Sequence, residues 1–358
     1  MVRRMGVGQK MSLWNNTITD ESKQKCYIIA EIGVNHNGNM ELAKKMIEAA
    51  KEAGADAVKF QTFTADALVS RGTPKVKYQE TTTDPDETHY EMINKLELKR
   101  EDHCPLMEFC KTLNIEFIST PYDIKSAIFL NQLGVNIFKT SSADIVDITL
   151  QEYLAGTGKT VLSATGMATL GEVENAVILY REANNPNLIL LHSVSNYPCT
   201  NESLNLRVIQ TLHSALQVPV GFSDHSVGYH AAIIAVALGA RVIEKHFTLD
   251  KNIPGPDHKA SSTPEEFSEF VRAVRNAEVA LGSPFKECQE EEKQMAQVSR
   301  KSIVIKKDIK AGEVLTQDHI AMKRPGAGLP ATVITAVLNK TINKPLRKDH
   351  LLQWNDIQ

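Results

Sequence analysis

Short apolar runs alternate with segments of helical periodicity along most of the chain. Eight runs have the length and bounds of buried strands. They are Cys26–Ile32, Ala57–Gln61, Glu116–Ser119, Asn136–Lys139, Thr160–Ala164, Leu188–His192, Val218–Phe222 and Ala240–Glu244. Helical patterns follow most of these runs, at Met40–Ala53, Asp123–Leu133, Leu170–Glu182, Leu206–Leu216, Tyr229–Leu238 and Pro264–Leu281. Strands that alternate with helices predict right-handed βαβ units and a parallel sheet.

Eight such units favour a closed (β/α)8 (TIM) barrel, an α/β fold that needs about 250 residues. No GxGxxG follows the first strand, which argues against an open dinucleotide-binding sheet. The polar stretch Thr64–His89 is predicted to be a long loop over the barrel mouth. After Leu281 the pattern changes to a charged stretch and then to short strands and turns. We therefore predict a barrel domain over 24–283, a linker over 284–298 and a small β-rich domain over 299–358.

Composition narrows the possible functions. The 358 residues carry a net charge of −3, which gives no electrostatic reason to expect nucleic acid or an anionic membrane as a partner. The five cysteines form no CxxC pair, which favours reduced thiols in the cytoplasm. The opening stretch MVRRMGVGQKMSLW has no apolar run long enough for a signal peptide. The sequence thus predicts a cytoplasmic protein without a membrane span.

Active-site groups of this fold project from the carboxyl ends of the strands. Lys59 and Lys139 occur there, each directly after apolar residues. A buried lysine needs an anionic partner. That partner is either an internal carboxylate (Glu31, Asp144 or Glu244) or a small, multiply charged anion. Phosphoenolpyruvate is such an anion, and it suits two cations supported by hydroxyl donors from Thr120, Ser142 and Ser223.

Two histidines, His225 and His246, follow the seventh and eighth strands, which are neighbours in a barrel. Their imidazoles can converge on one divalent ion and leave positions open for water and a substrate oxygen. Each histidine can equally be a hydrogen-bonded structural residue. Glu31 is either an ion-pair partner of Lys59 or a carboxylate that relays protons or positions water.

Several segments resemble those of the sialic acid synthase family, in order along the chain and without large gaps. They are IIAEIGVNHNG (28–38), AVKFQTF (57–63), FISTPYD (117–123), TGMATLGE (165–172), GFSDHSVG (221–228), IEKHFTLD (243–250), PGPDHKAS (254–261) and KRPGAG (323–328). The family includes N-acetylneuraminate, legionaminate and pseudaminate synthases. The resemblance implies a (β/α)8 barrel followed by a small antifreeze-like domain of the SAF type, in a domain-swapped homodimer.

The resemblance also implies an activity and roles for individual residues. The enzyme would condense phosphoenolpyruvate with an N-acylated mannosamine-type sugar, add water and release phosphate by C–O cleavage. His225 and His246 would bind Mn2+, with Mg2+ or Co2+ as alternatives, and Glu31, Lys59 and Lys139 would be catalytic. Phosphoenolpyruvate would contact Lys59, Thr120, Lys139, Ser142, Ser195 and Ser223. The sugar would contact Gln61, Asp144, Tyr197, Glu244 and, from the partner subunit, Arg324.

The identity of the sugar stays open at this point. Asp144 stands where family members often have glutamate, and Ala164 stands where they usually have serine. N-acetylneuraminate synthesis is the favoured interpretation, and legionaminate or pseudaminate synthesis is the alternative. More distant alternatives are condensation with a sugar phosphate, metal-dependent hydrolysis and carbohydrate or ice binding without catalysis.

Overall fold

The computed structural model describes residues 25–358, apart from the side chains of Tyr78 and Thr81. The chain divides into two compact units between Gly282 and Ser283. The expectation that the opening stretch holds no signal peptide lies outside the described residues. The boundaries at 24–283, 284–298 and 299–358 stay a prediction.

Eight parallel strands form a closed barrel in the first unit, as the alternating pattern predicted. Backbone hydrogen bonds join β1 to both β2 and β8, so the barrel has no free edge. The strands are β1 Tyr27–Gly33, β2 Ala57–Thr62, β3 Glu116–Pro121, β4 Ile137–Thr140, β5 Thr160–Ala164, β6 Leu188–Ser193, β7 Val220–Asp224 and β8 Val242–His246. Both β7 and β8 extend further into polar sequence than predicted, because Asp224 pairs with Lys245 and His246 pairs with Glu31 of β1.

Helices pack around the barrel. They are α1 Met40–Glu52, α2 Ala65–Leu68, α3 Lys77–Thr82, α4 His89–Lys95, α5 Arg100–Thr112, α6 Ile124–Leu133, α7 Ile148–Gly156, α8 Leu170–Glu182, α9 Val208–Leu216, α10 His230–Ala237 and α11 Pro264–Leu281. The start of α11 follows its sequence signals, since Thr263 caps Glu266 N and Pro264 occupies the first turn. In the described part of the chain, no helix combines the length and apolar character needed to cross a membrane.

The stretch Thr64–His89 is not one loop, and this corrects the prediction. It contains α2 and α3 and ends at the start of α4. These helices have four, six and seven residues, too short to show a clear period of 3.6 in the sequence. The prediction that the segment borders the barrel mouth is confirmed by residues that line the same cavity as the strand ends.

The barrel has an apolar interior below its mouth. Side chains of Ile29, Ile118, Leu162 and Val242 fill it, and all are fully buried. A second and larger apolar layer lies between the strands and the surrounding helices. Because side chains alternate between the two faces of a strand, most strands contribute to both layers. The exception is β7, whose apolar side chains Val220 and Phe222 both belong to the outer layer. Only the carboxyl ends of the strands are left to build a polar site.

The second unit is small and has its own apolar core. Its regular elements are α12 Lys293–Ser299, β9 Ser302–Ile305, β10 Ile320–Lys323 and α13 Ile334–Val337. The strands β9 and β10 pair antiparallel, and isolated bridges such as Val304 with Leu351 add further extended contacts. Ile303, Leu315 and Leu352 are fully buried in this core. The unit is thus β-rich, as predicted.

Candidate active site

A cavity of about 860 Å³ opens at the carboxyl ends of the barrel strands. Inward-facing positions change there from apolar to polar, as on β8, where Val242 is followed two and four residues later by Glu244 and His246. Of the barrel residues assigned a role from the sequence, all line this cavity except Asp144. They are Glu31, Lys59, Gln61, Thr120, Lys139, Ser142, Ser195, Tyr197, Ser223, His225, Glu244 and His246.

Two lysines and two glutamates form the floor of the cavity. Lys59 Nζ lies 2.6 Å from Glu31 Oε2 and 3.8 Å from Glu244 Oε2. Lys139 Nζ lies 3.6 Å from Glu244 Oε1. All four residues are at most 4% exposed. The carboxylate partners considered from the sequence are therefore present for both lysines, and the same lysines line a cavity large enough for substrates.

Burial and ion pairing move the pKa values of these four groups in different directions. Burial raises the pKa of Glu31 to about 7, against the attraction of Lys59. Burial opposes ionisation of Glu244 too, but Lys139 and Lys59 together lower its pKa to about 2. Burial lowers the pKa of Lys139, whereas the two glutamates outweigh burial and raise that of Lys59. Glu31 is thus the carboxyl of the floor that can exchange a proton near neutral pH.

Neutral hydroxyl donors surround the floor. Ser223 Oγ donates to Glu244 Oε1 at 2.8 Å, and Lys59 Nζ donates to Thr120 Oγ1 at 3.1 Å. A second group gathers at Gly166, whose N–H donates to Ser142 Oγ at 3.1 Å and to Ser193 Oγ at 3.0 Å. A Cβ at Gly166 would collide with the hydroxyls of Ser142 and Ser195. The missing side chain lets these hydroxyls converge beside the lysines.

The two predicted imidazoles come together beside the floor. The ring centroids of His225 and His246 are 5.5 Å apart, and the Tyr197 ring lies 4.2 Å from His225. His225 Nδ1 donates to the Val194 carbonyl at 2.7 Å, so the ring lone pair is on Nε2, which lies 3.4 Å from Ser223 Oγ. Burial lowers the pKa of His225 to about 4 and that of His246 well below its ordinary value. Both imidazoles are therefore neutral at pH 7.

These histidines fit a divalent metal ion. Neutral imidazole is a common ligand, and His246 Nδ1 is buried without a hydrogen-bond partner. No cluster of three or more His, Cys, Asp or Glu side chains suited to a metal occurs within residues 25–358. A metal held by two imidazoles keeps positions open for water or a substrate oxygen, which is the arrangement of a catalytic and not of a structural site.

Two residues with predicted sugar contacts lie elsewhere. The Asp144 carboxylate accepts a hydrogen bond from Ser141 Oγ at 2.6 Å, outside the cavity lining, and burial raises its pKa to about 6. Arg324 belongs to the second unit, directly after β10, where it is exposed. Their roles stay predictions.

Several residues of the site were not singled out in the sequence analysis. Tyr122, Asp257 and His89 line the cavity, and Ser193 contacts Ser142 Oγ at 3.1 Å. Ser193 could have been found, because it ends β6 at the position where other strands carry functional groups. Asp257 lies in the loop after β8, and only the quoted PGPDHKAS segment pointed to that loop.

The mouth of the barrel combines two lysines, two glutamates and two neutral imidazoles, which is typical of an enzyme active site. Its chemistry suits a small polyanion and a divalent metal ion. The NeuB family model matches residues 46–286, and the SAF domain model matches residues 300–358. The chain belongs to the NeuB family and has a C-terminal SAF domain. It is a phosphoenolpyruvate-condensing nonulosonate synthase, a transferase, of a family that generally uses a divalent metal ion.

Individual relatives cover nearly the whole chain. An N,N'-diacetyllegionaminic acid synthase of Campylobacter jejuni is 43% identical over 92% of this chain and 99% of its own length. Another from Legionella pneumophila is 41% identical over 94% and 96%. The crystal structure of an N-acetylneuraminic acid synthetase of Leptospira borgpetersenii, in complex with citrate, matches with a TM-score of 0.67 and 35% identity over 76% of this chain and 90% of that one.

Proposed function

We propose that this chain is a legionaminate synthase, which condenses phosphoenolpyruvate with 2,4-diacetamido-2,4,6-trideoxymannose. The identity to two N,N'-diacetyllegionaminic acid synthases, 43% and 41%, supports this sugar. Identity to the N-acetylneuraminic acid synthetase is 35%, over a smaller share of the chain. The alternative named from the sequence is thus better supported than N-acetylneuraminate synthesis, which the sequence favoured.

The observation that carries the reaction is the pairing of Lys59 and Lys139 with Glu31 and Glu244 in one buried floor. In the proposed complex the two lysines bind the phosphate and carboxylate of phosphoenolpyruvate. Hydroxyl donors complete the anion site, and they are Thr120, Ser142, Ser195 and Ser223. Such charge-assisted hydrogen bonds in a dry cavity both bind and orient the anion.

In the reaction, the electron pair of the C2=C3 bond of phosphoenolpyruvate forms the new bond from C3 to the aldehyde carbon of the open-chain sugar, and the aldehyde oxygen becomes a hydroxyl. Water adds at C2, the C2–O bond to the phosphate breaks, and C2 becomes a ketone as inorganic phosphate leaves. The two protons of the water end on the new hydroxyl and on the phosphate. Glu31 accepts and later donates a proton of that water. Its pKa of about 7 allows both the neutral and the ionised carboxyl near neutral pH. The lysines stabilise the charge on the departing phosphate.

His225 and His246 would hold the divalent ion, with Mn2+ preferred and Mg2+ or Co2+ as alternatives. Such an ion supplies Lewis-acid polarisation of the aldehyde oxygen. Gln61, Tyr197, Glu244 and Asp144 are proposed to orient the sugar from the barrel side. Arg324 of the partner subunit would complete the sugar site in a domain-swapped homodimer. We place the enzyme in the cytoplasm, where phosphoenolpyruvate is made.

A sugar phosphate is a less suitable second substrate. It requires a second anion site, and Lys77 is the one further lysine or arginine that the described residues bring to the cavity lining. A single exposed lysine gives little affinity for a phosphate dianion.

The test is phosphate release by purified protein with Mn2+, phosphoenolpyruvate and one sugar at a time. We expect faster turnover of 2,4-diacetamido-2,4,6-trideoxymannose than of N-acetylmannosamine. Phosphoenolpyruvate labelled with 18O in its bridging oxygen should deliver the label to phosphate, since the C–O bond breaks. Failure to release phosphate with any N-acylated sugar would refute the proposal, and a preference for N-acetylmannosamine would refute the assigned sugar.

A further inference from the structure

The cavity lining combines two groups of residues with contrasting chemistry. One is the charged floor at the strand ends. The other comes from the segment between β2 and α5, and we call it the apolar wall. Its members are Phe63, Leu68, Val69, Val76, Met92 and Ile93, all of which line the same cavity as the floor.

The apolar wall is a built structure. Phe63, Met92 and Leu96 are at most 6% exposed and pack together with Val34 from the loop after β1. Two ion pairs to one carboxylate also stabilise the segment, since Lys95 Nζ lies 2.6 Å and Lys75 Nζ lies 3.7 Å from Glu87. The packed part of the wall, around Phe63 and Met92, is therefore formed before any ligand binds, and it supports the more exposed Val69 and Val76 on the same segment.

The reaction fixes how a sugar lies in the cavity. Its aldehyde must meet phosphoenolpyruvate at the charged floor, so carbons 4 to 6 extend away from the floor. The proposed sugar differs from N-acetylmannosamine in that part of the molecule alone. It carries an acetamido group in place of the C4 hydroxyl and a methyl group in place of the C6 hydroxymethyl.

We infer that the apolar wall selects the sugar, seating the C6 methyl and the methyl of the second acetamido group against Val69, Val76 and Ile93. Val76 is 52% exposed in the free protein, and Val69 and Ile93 are partly buried, so a ligand methyl that covers them removes apolar surface from water. A C6 hydroxyl held there would give up hydrogen bonds to water and find no partner on these side chains. This inference rests on the proposed function and names the residues that set its specificity.

His89 supplies a polar group beside the wall. It starts α4, lines the same cavity, and its Nδ1 is buried without a hydrogen-bond partner. An acetamido group offers both an N–H donor and a carbonyl acceptor, so it can pair with an imidazole nitrogen in either tautomer. We assign His89 to the second acetamido group, which N-acetylmannosamine lacks.

The first test is the double variant Val69→Thr/Val76→Thr. Threonine keeps the shape of valine and adds one hydroxyl at each position. Val69 is in extended backbone and Val76 precedes the first turn of α3, a position that threonine favours, so folding should be preserved. The matched control is Val279→Thr on α11, where the side chain is 83% exposed and outside the cavity lining.

The measured quantity is kcat/KM for the diacetamido sugar divided by kcat/KM for N-acetylmannosamine. We expect the double variant to lower this ratio about tenfold, the size of discrimination typical of one group in an apolar pocket. The KM for phosphoenolpyruvate should stay unchanged, and Val279→Thr should keep the wild-type ratio. A ratio within twofold of wild type in the double variant would overturn the role of the wall.

The second test is His89→Leu, which should lower kcat/KM for the diacetamido sugar about tenfold and leave that for N-acetylmannosamine within twofold. Equal losses for both sugars would overturn its assignment. Wild-type kinetics separate the two levels of inference. If wild type prefers the diacetamido sugar and both variants keep that preference, the wall inference fails alone. If wild type releases phosphate with neither sugar, the proposed function fails as well.

Discussion

Two buried ion-pair groups use neighbouring residues of β7 and β8. One group faces the inside of the barrel, and the other faces the surrounding helices. Glu244 and Ser223 point inward with Lys59 and Lys139, whereas Lys245 and Asp224 point outward beneath the helices. Lys245 Nζ lies 2.9 Å from Asp224 Oδ2 and 2.8 Å from the Ser226 carbonyl, and it lies over the Phe270 ring. The inner group adjoins a cavity, and Glu244 Oε2 has no hydrogen-bond donor.

The difference shows what an ionisable residue at a strand end means. The outer pair is satisfied by its own neighbours, so it links β7, β8 and the helical layer. The inner group mixes like charges with opposite ones and borders a cavity, so part of its interaction capacity is left for a ligand. One step along a strand separates a structural ion pair from a candidate catalytic one.

The sharpest test of the inner group is Glu31→Gln, which keeps the shape of the side chain but removes its proton exchange. We expect kcat to fall about 10²- to 10⁴-fold, the usual contribution of general acid–base catalysis. Binding of phosphoenolpyruvate should be kept or improved, because one negative charge leaves the floor. Rapid-quench turnover and calorimetric titration would measure the two effects, and unchanged kcat would remove Glu31 from the chemistry.

Lys139→Met tests the lysine whose one carboxylate partner within residues 25–358 is Glu244. Loss of one charged partner of a buried anion costs roughly 2–5 kcal/mol, so affinity for phosphoenolpyruvate should fall by at least about 30-fold. Calorimetric titration would measure the loss. Lys125→Met on α6 is the control for the substitution, since Lys125 is exposed and outside the cavity lining. Equal affinity in both variants would contradict the proposed anion site.

Lys245→Met tests the outer pair and should show the reverse pattern. It leaves Asp224 buried without its cation, which typically costs about 3–5 kcal/mol of folding free energy. Urea unfolding should detect the loss, while the KM for phosphoenolpyruvate in the folded protein stays unchanged. A large rise in KM without loss of stability would erase the distinction between the two groups.

The pH dependence of phosphoenolpyruvate binding should be the smallest effect. Glu31, with a pKa raised to about 7, is neutral below that pH and ionised above it. Ionisation adds a negative charge to the floor, so the Kd should rise with pH, by no more than about tenfold between pH 7 and pH 8. The rise should be absent in Glu31→Gln. Identical pH profiles of the two proteins would assign the dependence to another group.

Much of the fold could be predicted from the sequence because the barrel repeats one unit. Helices Leu170–Glu182 and Pro264–Leu281 have the predicted bounds, since each combines an apolar stripe with a capping threonine. The short helices between β2 and α5 could not be predicted, because their packing against Val34 and Phe63 is tertiary. Tertiary contacts also determine where β7 and β8 end, because their last residues are polar and resemble loop residues in the sequence.

The site, like the fold, was predictable in part from the sequence and depended in part on tertiary contacts. Position at a strand end predicted that Glu31, Lys59, Lys139 and the two histidines would converge. It did not predict that Glu244 would lie between both lysines, because Asp144 and Glu31 were equally available as partners. Nor did it separate Asp224 from Glu244, since that distinction depends on which residues face inward. The sugar was beyond such reasoning, and relatives had to supply it.

The position of Glu244 between the two lysines also bears on the release of phosphate. Its carboxylate already contacts both lysines, so it acts as a tethered competitor for any anion that enters the cavity. In the proposed complex, phosphoenolpyruvate would replace Glu244 as the anionic partner of the lysines, and its affinity would be the difference between the two interactions. After phosphate leaves, the lysines would pair with Glu244 again. This internal competition would limit the affinity for substrate and would also favour release of the product.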